Sequence, residues 1–343
     1  MKLNFKAALI SVALLAGPTM PGAVYSGDLL KANGVSTLDD AKKYYSTIDP
    51  NDLRLTQAAW RAVNGFDEPG NEVVVVGGHK NVSDLGFWRR IEMVIDKRPG
   101  YVGNVAFTTF NFETEQDAFV NVHPLSIVNM EYSPGPNGDR ITKFYIYDAA
   151  GNRQTKTFFD PAAIHGARED LYLPNGCAAC HGGGTHGVDF RTHAGRTGGG
   201  FLAFDFNVFE YGVLTSRADN EANVKKLNQG VLMTNPPSAV KTLVSGLYGG
   251  NNLPRATQNS AYRPSDWNTE PALWKVVVTD CLGCHTLTEQ EVLSLDHWKR
   301  NVASFRQIIL KEKEMPNAPF SNRRFWNTNN HQIVEDALNR FRH

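Results

Sequence analysis

The chain has 343 residues, with 35 Lys+Arg against 35 Asp+Glu, 41% hydrophobic residues and 4 Cys. That length predicts more than one core, because a single core stops growing near ~250–300 residues. An ordinary apolar fraction with zero net charge excludes a disordered chain and a binder driven by nucleic-acid phosphates. So few cysteines in so long a chain exclude a dense disulfide scaffold.

The first segment reads as an export signal. Lys2 and Lys6 precede the mostly apolar run from Ala7 to Ala16, and Gly17, Pro18, Pro21 and Gly22 follow. A basic start, a short apolar stretch and a small-residue exit form a secretory signal over residues 1–26, with cleavage near Ala23 or Ser26. The run is shorter than the ~20 residues that a bilayer requires, and no Cys lies near the cut to carry a lipid. No later run is long enough to span a membrane, so the mature chain is expected to be exported without a transmembrane segment.

Residues 27–165 contain no Cys. Thr37 with Asp40 opens a helix, and Asp49-Pro50 opens another containing Trp60. Strand-like runs follow at Glu72 to Val76, Asn104 to Phe112, Ala118 to Val122, Ser126 to Tyr132, Lys143 to Tyr147 and Arg153 to Phe159. Turns fall at Pro134 to Gly138 and Ala149 to Asn152. The prediction is a β-rich domain. It holds no Walker loop, H-E-x-x-H or G-x-S-x-G, so it reads as a structural cap; donating a ligand or docking a partner are the other roles open to it.

All four cysteines lie in two copies of one pattern, Cys177-Ala178-Ala179-Cys180-His181 and Cys281-Leu282-Gly283-Cys284-His285. C-x-x-C-H is the covalent attachment signature of c-type haem. Two thiols three positions apart can each form a thioether to one vinyl group of the porphyrin, and the adjacent imidazole then comes under the iron. A zinc site would pair C-x-x-C units ~15–20 residues apart, whereas these copies are separated by about a hundred residues. A thioredoxin-like motif requires a strand before it and a helix after it, and Pro174 and Gly176 spoil the lead-in to the first copy. Disulfides within each pair would give no reason for the His that follows both.

With these two motifs the chain resembles the dihaem c-type cytochromes. The resemblance implies two haem c groups held by Cys177, Cys180, Cys281 and Cys284, with His181 and His285 as proximal iron ligands. It also implies a periplasmic location, since in bacteria such haems are attached outside the cytoplasm.

Residues 266–343 read as a helical module. Glu270-Pro271 opens a helix with Leu273, Trp274, Val277 and Val278 on its buried side. Thr288 with Glu291 forms a capping box. Leu295, Trp298, Val302, Phe305 and Ile309 repeat at helical spacing, and Pro316 ends that helix. Asn329 and Gln332 suggest the next cap, before a last stripe of Ile333, Val334, Ala337, Leu338 and Phe341. The order resembles the class I cytochrome c fold, in which the first and last helices cross and Met315 occupies the distal-ligand loop. A thioether there would raise the iron's potential; the plainer role for Met315 is filling a gap in the core. Arg323, Arg324 and Trp326 either hold haem propionates or form a solvated cluster.

Residues 166–265 carry the first motif between Leu173-Pro174-Asn175-Gly176 and the glycine runs 182–184 and 198–200. This departs from the class I pattern, which places a helix before the motif. Ser216 with Asp219 opens a helix bearing Ala222, Val224, Leu227 and Val231, and another follows Pro236-Pro237 with Val240, Leu243, Val244 and Leu247. Phe201, Phe204, Phe206 and Phe209 read as haem wall or core. For the sixth ligand Met233 is the leading candidate, with His186, His193, His165 and His123 as alternatives, or an open iron.

The expected fold class is α+β, a β-rich N-terminal domain followed by two mainly α-helical, cytochrome c-like haem domains. The expected function is single-electron transfer with a redox partner protein and no nucleic acid. The alternative is a dihaem enzyme, peroxidase-like or an oxidase of small sulfur compounds, with substrate at the first haem.

Overall fold

The computed structural model describes residues 37–157, 171–182, 190–288, 293–313, 315–316 and 318–341. The predicted signal at 1–26 lies outside them, as do His165, His186 and the Glu291 half of the predicted capping box. Among the described residues no helix is long and apolar enough to cross a membrane.

Two helices come first. Helix α1, Leu38–Ile48, starts at the predicted Thr37–Asp40 capping box. Helix α2, Gln57–Val63, starts later than Asp49-Pro50 because Thr56 caps it. Asp49 instead accepts from the backbone of Leu53 and Arg54 and from the Arg153 guanidinium. Strands β1 (Val73–Asn81), β2 (Trp88–Ile95), β3 (Val105–Phe112), β4 (Ser126–Pro134) and β5 (Arg140–Tyr147) follow, with helix α3 (Glu115–Val120) between β3 and β4. Residues 118–122 therefore begin as helix rather than strand; the Thr114 hydroxyl accepts the Asp117 N–H and nucleates the turn. A sixth strand, β6 (Phe209–Tyr211), pairs with β1. The antiparallel sheet runs β5-β4-β3-β2-β1-β6. Of the strand expected at 153–159, the described residues 153–157 form isolated bridges instead, Tyr147 to Arg153 among them, and 158–159 lie outside the described residues.

The two faces of the sheet carry different chemistry. On one face Glu131 is fully buried between Arg54 (3.0 Å) and Lys143 (3.3 Å), and Asn64 and Ser133 also donate to it. Gln57 donates to Thr108 and accepts from Asn129, and Arg61 pairs with Glu92, so α2 is tied to this face. The other face presents Val76, Ile91, Phe107, Thr109, Val128 and Ile146 toward the rest of the chain. Helices α4 (Asn175–His181), α5 (Arg217–Met233) and α6 (Ser238–Tyr248) lie on that side. Gly230 of α5 lets the helix come close, since a Cβ there would lie against Met93 Sδ and the Phe107 ring.

The C-terminal part comprises α7 (Pro271–Asp280), α8 (Leu282–Thr288), α9 (Leu295–Arg300), α10 (Val302–Phe305), α11 (Pro319–Asn327) and α12 (Asn330–Arg340). The helix expected through Leu295–Ile309 is broken at Asn301 and ends in a π turn over Arg306–Lys311. Helices α7 and α12 pack together.

The expectation of two cytochrome c-like helical domains is not met. The residues after 165 build onto the sheet: β6 extends it, α5 packs on β1 and β2, and one buried cluster runs from Tyr44 to Leu338. The motif helices α4 and α8 have 7 residues each. Helices that short are marginal unless packed against other structure, and here they pack on each other, with α8 also against α6 and α7.

Glu131 yields a stability prediction. Burial alone would raise its carboxyl, but Arg54 and Lys143, with Asn64 and Ser133, outweigh that and hold it at about 2, below the ordinary 4.5. A depressed carboxyl contributes stability above its unfolded pKa that is lost as pH falls toward the folded one. Glu131→Gln should cost about 3–5 kcal/mol at pH 7, because it takes the ion-pair partner from the buried Lys143 and leaves Arg54 with Asp49 alone. Urea unfolding followed by far-UV circular dichroism checks this, and the gap from the native protein should narrow as pH drops from 4.5 toward 2.

Candidate functional site

The first motif lies in α4. Its start is crowded, since a Cβ at Gly176 would strike the Thr157 methyl and the Leu171 carbonyl. Cys177 is buried and Cys180 half-buried. Burial, then Cys180, pushes the Cys177 thiol up to about 12. A redox-active dithiol needs the opposite shift, toward the thiolate.

His181 is held at both ends. Its backbone carbonyl accepts the Gly200 N–H at 2.9 Å, and its Nδ1 lies 3.1 Å from the Gly200 carbonyl oxygen. A carbonyl only accepts, so Nδ1 carries the proton and Nε2 keeps its lone pair. This is the arrangement by which proteins orient a metal-binding imidazole. Burial, opposed by the Gly200 bond and aided by Arg89, lowers its pKa to about 4, so the ring is neutral near pH 7.

Cys177, Cys180 and His181 line a cavity between α4 and the apolar face of the sheet. The space free of atoms is about 1540 Å3, part of it open to solvent. Ile91, Phe107, Val128, Met130, Phe201 and Phe204 form much of its wall. Phe107 lies 5.2 Å from Phe201 and 5.8 Å from Phe204, so the aromatics expected as haem wall or core do line this space. Phe206 and Phe209 pack edge-on at 5.7 Å, and Phe209 also reaches the cavity.

Polar groups also line the wall, Asn81, Ser83, Asp84, Arg89 and Asp205 among them. Arg89 pairs with Asp84 at 2.8 Å and donates to Asn111 at 3.2 Å. The Asp205 carboxyl, which accepts the Asn207 N–H, is raised by burial to about 6. His79 of β1 also lines the cavity, fully buried, with no hydrogen-bond partner at either ring nitrogen. The sequence reading passed over it. The Gly77-Gly78 pair inside a valine-rich strand was the available signal, because glycine within a strand marks a bulge or a close backbone approach.

The second motif lies beside the first. Leu282, Gly283 and Thr286 of α8 line the same cavity, α4 and α8 are in contact, and Gly283 abuts Ser83 of the β1–β2 loop. His285 is half-buried and its backbone N–H donates to the Cys281 carbonyl at 3.1 Å; Cys281 is also half-buried. The Cys284 side chain lies outside what is described.

The proposed sixth ligands are placed unequally. Met315 is half-buried and packs against the core. Met233 ends α5 with 45% of its surface exposed and does not line the cavity. His123 is exposed beside Asp117, and His193 is exposed. Arg324 is committed to structure: it and Ser321 donate to Asp280 Oδ1, while Asn330 and Thr279 donate to Oδ2. Arg323 is exposed, and Trp326 stacks on His331.

The chain matches no protein-family model, no curated protein and no solved structure.

The Asp280 network fixes the end of α7 one residue before Cys281. Asp280→Ala should cost about 2–3 kcal/mol, the worth of hydrogen bonds to a charged group plus an unpaired partner. Chemical denaturation measures the loss; since the attachment residues are untouched, any group bound through the cysteines should keep its stoichiometry.

Proposed function

We propose that this chain is an exported dihaem c-type cytochrome that transfers single electrons. The observation that carries the reading is the setting of the first C-x-x-C-H motif. There Cys177, Cys180 and His181 line a largely apolar cavity, and the Gly200 carbonyl leaves Nε2 of the imidazole unprotonated. In this reading Cys177, Cys180 and His181 hold one haem, and Cys281, Cys284 and His285 the other. Bound there, haem iron supplies reversible one-electron chemistry.

The chain's own residues would do three things. The cysteines anchor, the histidines orient, and the apolar wall excludes water, which tunes the potential. Contact between α4 and α8 brings the two attachment sites together, so an electron entering at one has a short route to the other. Haem attachment outside the cytoplasm fits the export signal read at residues 1–26, and a redox partner protein would complete the path.

Two haem counts test this. The protein purified from an exporting host with the cytochrome c maturation apparatus should be red, with a mass increment and a pyridine haemochrome value matching two haems. Replacing Cys177 and Cys180 with Ser should remove one, and replacing Cys281 and Cys284 the other. Colourless material from that host would end the proposal.

Met315 is the proposed sixth ligand at the second haem. Met315→Ala should abolish a sulfur-to-iron charge-transfer band and lower one of two potentials in a redox titration. If band and potential both persist, Met315 only packs.

A further inference from the structure

We propose that His79 is the sixth ligand of the iron carried by Cys177, Cys180 and His181, so that the first haem has bis-histidine ligation. The inference rests on the dihaem reading above and adds to it a residue far from either motif in sequence.

Three observations carry it. First, His79 is completely buried, yet neither ring nitrogen has a partner. A buried polar group left unsatisfied costs ~1–3 kcal/mol, and an imidazole has two. A bond from one nitrogen to iron would offset part of that cost. Secondly, His79 lines the cavity that also holds the first motif's thiols and imidazole.

Thirdly, the strand is built to deliver this side chain there. Val74 and Val76 point to the apolar face, and strict alternation would send residue 79 to the opposite face, with Glu92. The register of β1 against β2 slips between Gly77 and His79, and Gly78 sits at φ +66°. That extra residue returns His79 to the cavity face, across from Arg89. Phe209 then lies nearly parallel against the imidazole, 4.2 Å between centroids, and limits its rotation.

Among the described residues the rival ligands are less well placed, since Met233, His123 and His193 are exposed and none lines the cavity. With two protein ligands the first iron would have no open position, which favours electron transfer over catalysis there.

The test uses the full-length holoprotein with its haem content measured first. Electron paramagnetic resonance and near-infrared magnetic circular dichroism of the oxidised protein should show one bis-histidine haem. The Cys177→Ser/Cys180→Ser variant, retaining only the second haem, should lack that signature. His79→Ala should keep two haems but turn one high-spin, able to bind carbon monoxide when reduced, and added imidazole should restore the low-spin spectrum. His79→Met should be low-spin with a new sulfur-to-iron band and a raised potential at one haem. Should His79→Ala not accumulate, the native spectra and His79→Met decide. Two bound haems with no bis-histidine signature, a signature that survives loss of the first haem, or a His79→Ala spectrum like the native would each overturn the proposal. A protein without haem would instead remove the reading beneath it.

Discussion

The alternation of side chains along a strand governs what each face of this sheet can be, and one glycine changes its phase. Upstream of Gly78, β1 places Val74 and Val76 toward the cavity and Val75 toward the ionic face, opposite Glu92. Downstream, His79 joins the cavity side in a row with Arg89 and Asn111. Without the bulge the imidazole would lie on the ionic face, opposite Trp88 and one row beyond Arg90. With it, the imidazole stands on the wall of the cavity that the first motif also lines. Positive φ is cheap only for glycine, and a Cβ at Gly78 would also strike the Thr215 side chain, so the residue at this position is doubly constrained.

The segregation of the two faces follows from the same geometry. One face concentrates charge, with buried Glu131, Lys143 and Asp49 and half-buried Arg54 joined by ion pairs. Such a network confers little net stability but punishes any register that breaks it. The other face is left apolar and must be covered. Short helices cover it, and they depend on the sheet in turn: α4 and α8 are each about two turns long, too brief to persist alone. This interdependence explains why the residues after 165 join the sheet and its core rather than forming two free-standing helical units.

Much of the local structure was legible. The capping boxes at Thr37 and Ser216 start helices as their sequences predict, and Pro271 begins α7 at a favoured position. Strands β3, β4 and β5 follow from β-branched and aromatic runs. Strand β2 escaped because Arg89, Arg90 and Glu92 interrupt its hydrophobic pattern. Those charges are paired across or beside the strand, and pairing of that kind depends on long-range neighbours. The 118–122 segment misled for a different reason: Phe119, Val120 and Val122 have strand propensity, but Thr114 and Asp117 close a helical turn first. The cysteine motifs were the clearest signal, because their chemistry is contained in five consecutive residues. His79 was the least visible, because its meaning depends on a bulge phase and on a motif about a hundred residues away.

The failure of the cytochrome c fold expectation does not carry the haem proposal down with it. Thioether attachment needs two thiols and one imidazole at fixed local spacing, and folds host such sites without determining them. What the surrounding fold does determine is the other side of the iron. In a small helical domain that position is supplied by a loop of the same domain, as Met315 would supply it. Here the cavity that the first motif lines is walled largely by the sheet, so a strand could supply a ligand to a haem held by His181. The side chains that β1, β2 and β3 direct into that space include one imidazole among apolar and already paired groups. On the proposed reading, a β-rich segment with no catalytic motif of its own would acquire a chemical role, and the number of positions left open at a first iron would be a property of the sheet rather than of the motif.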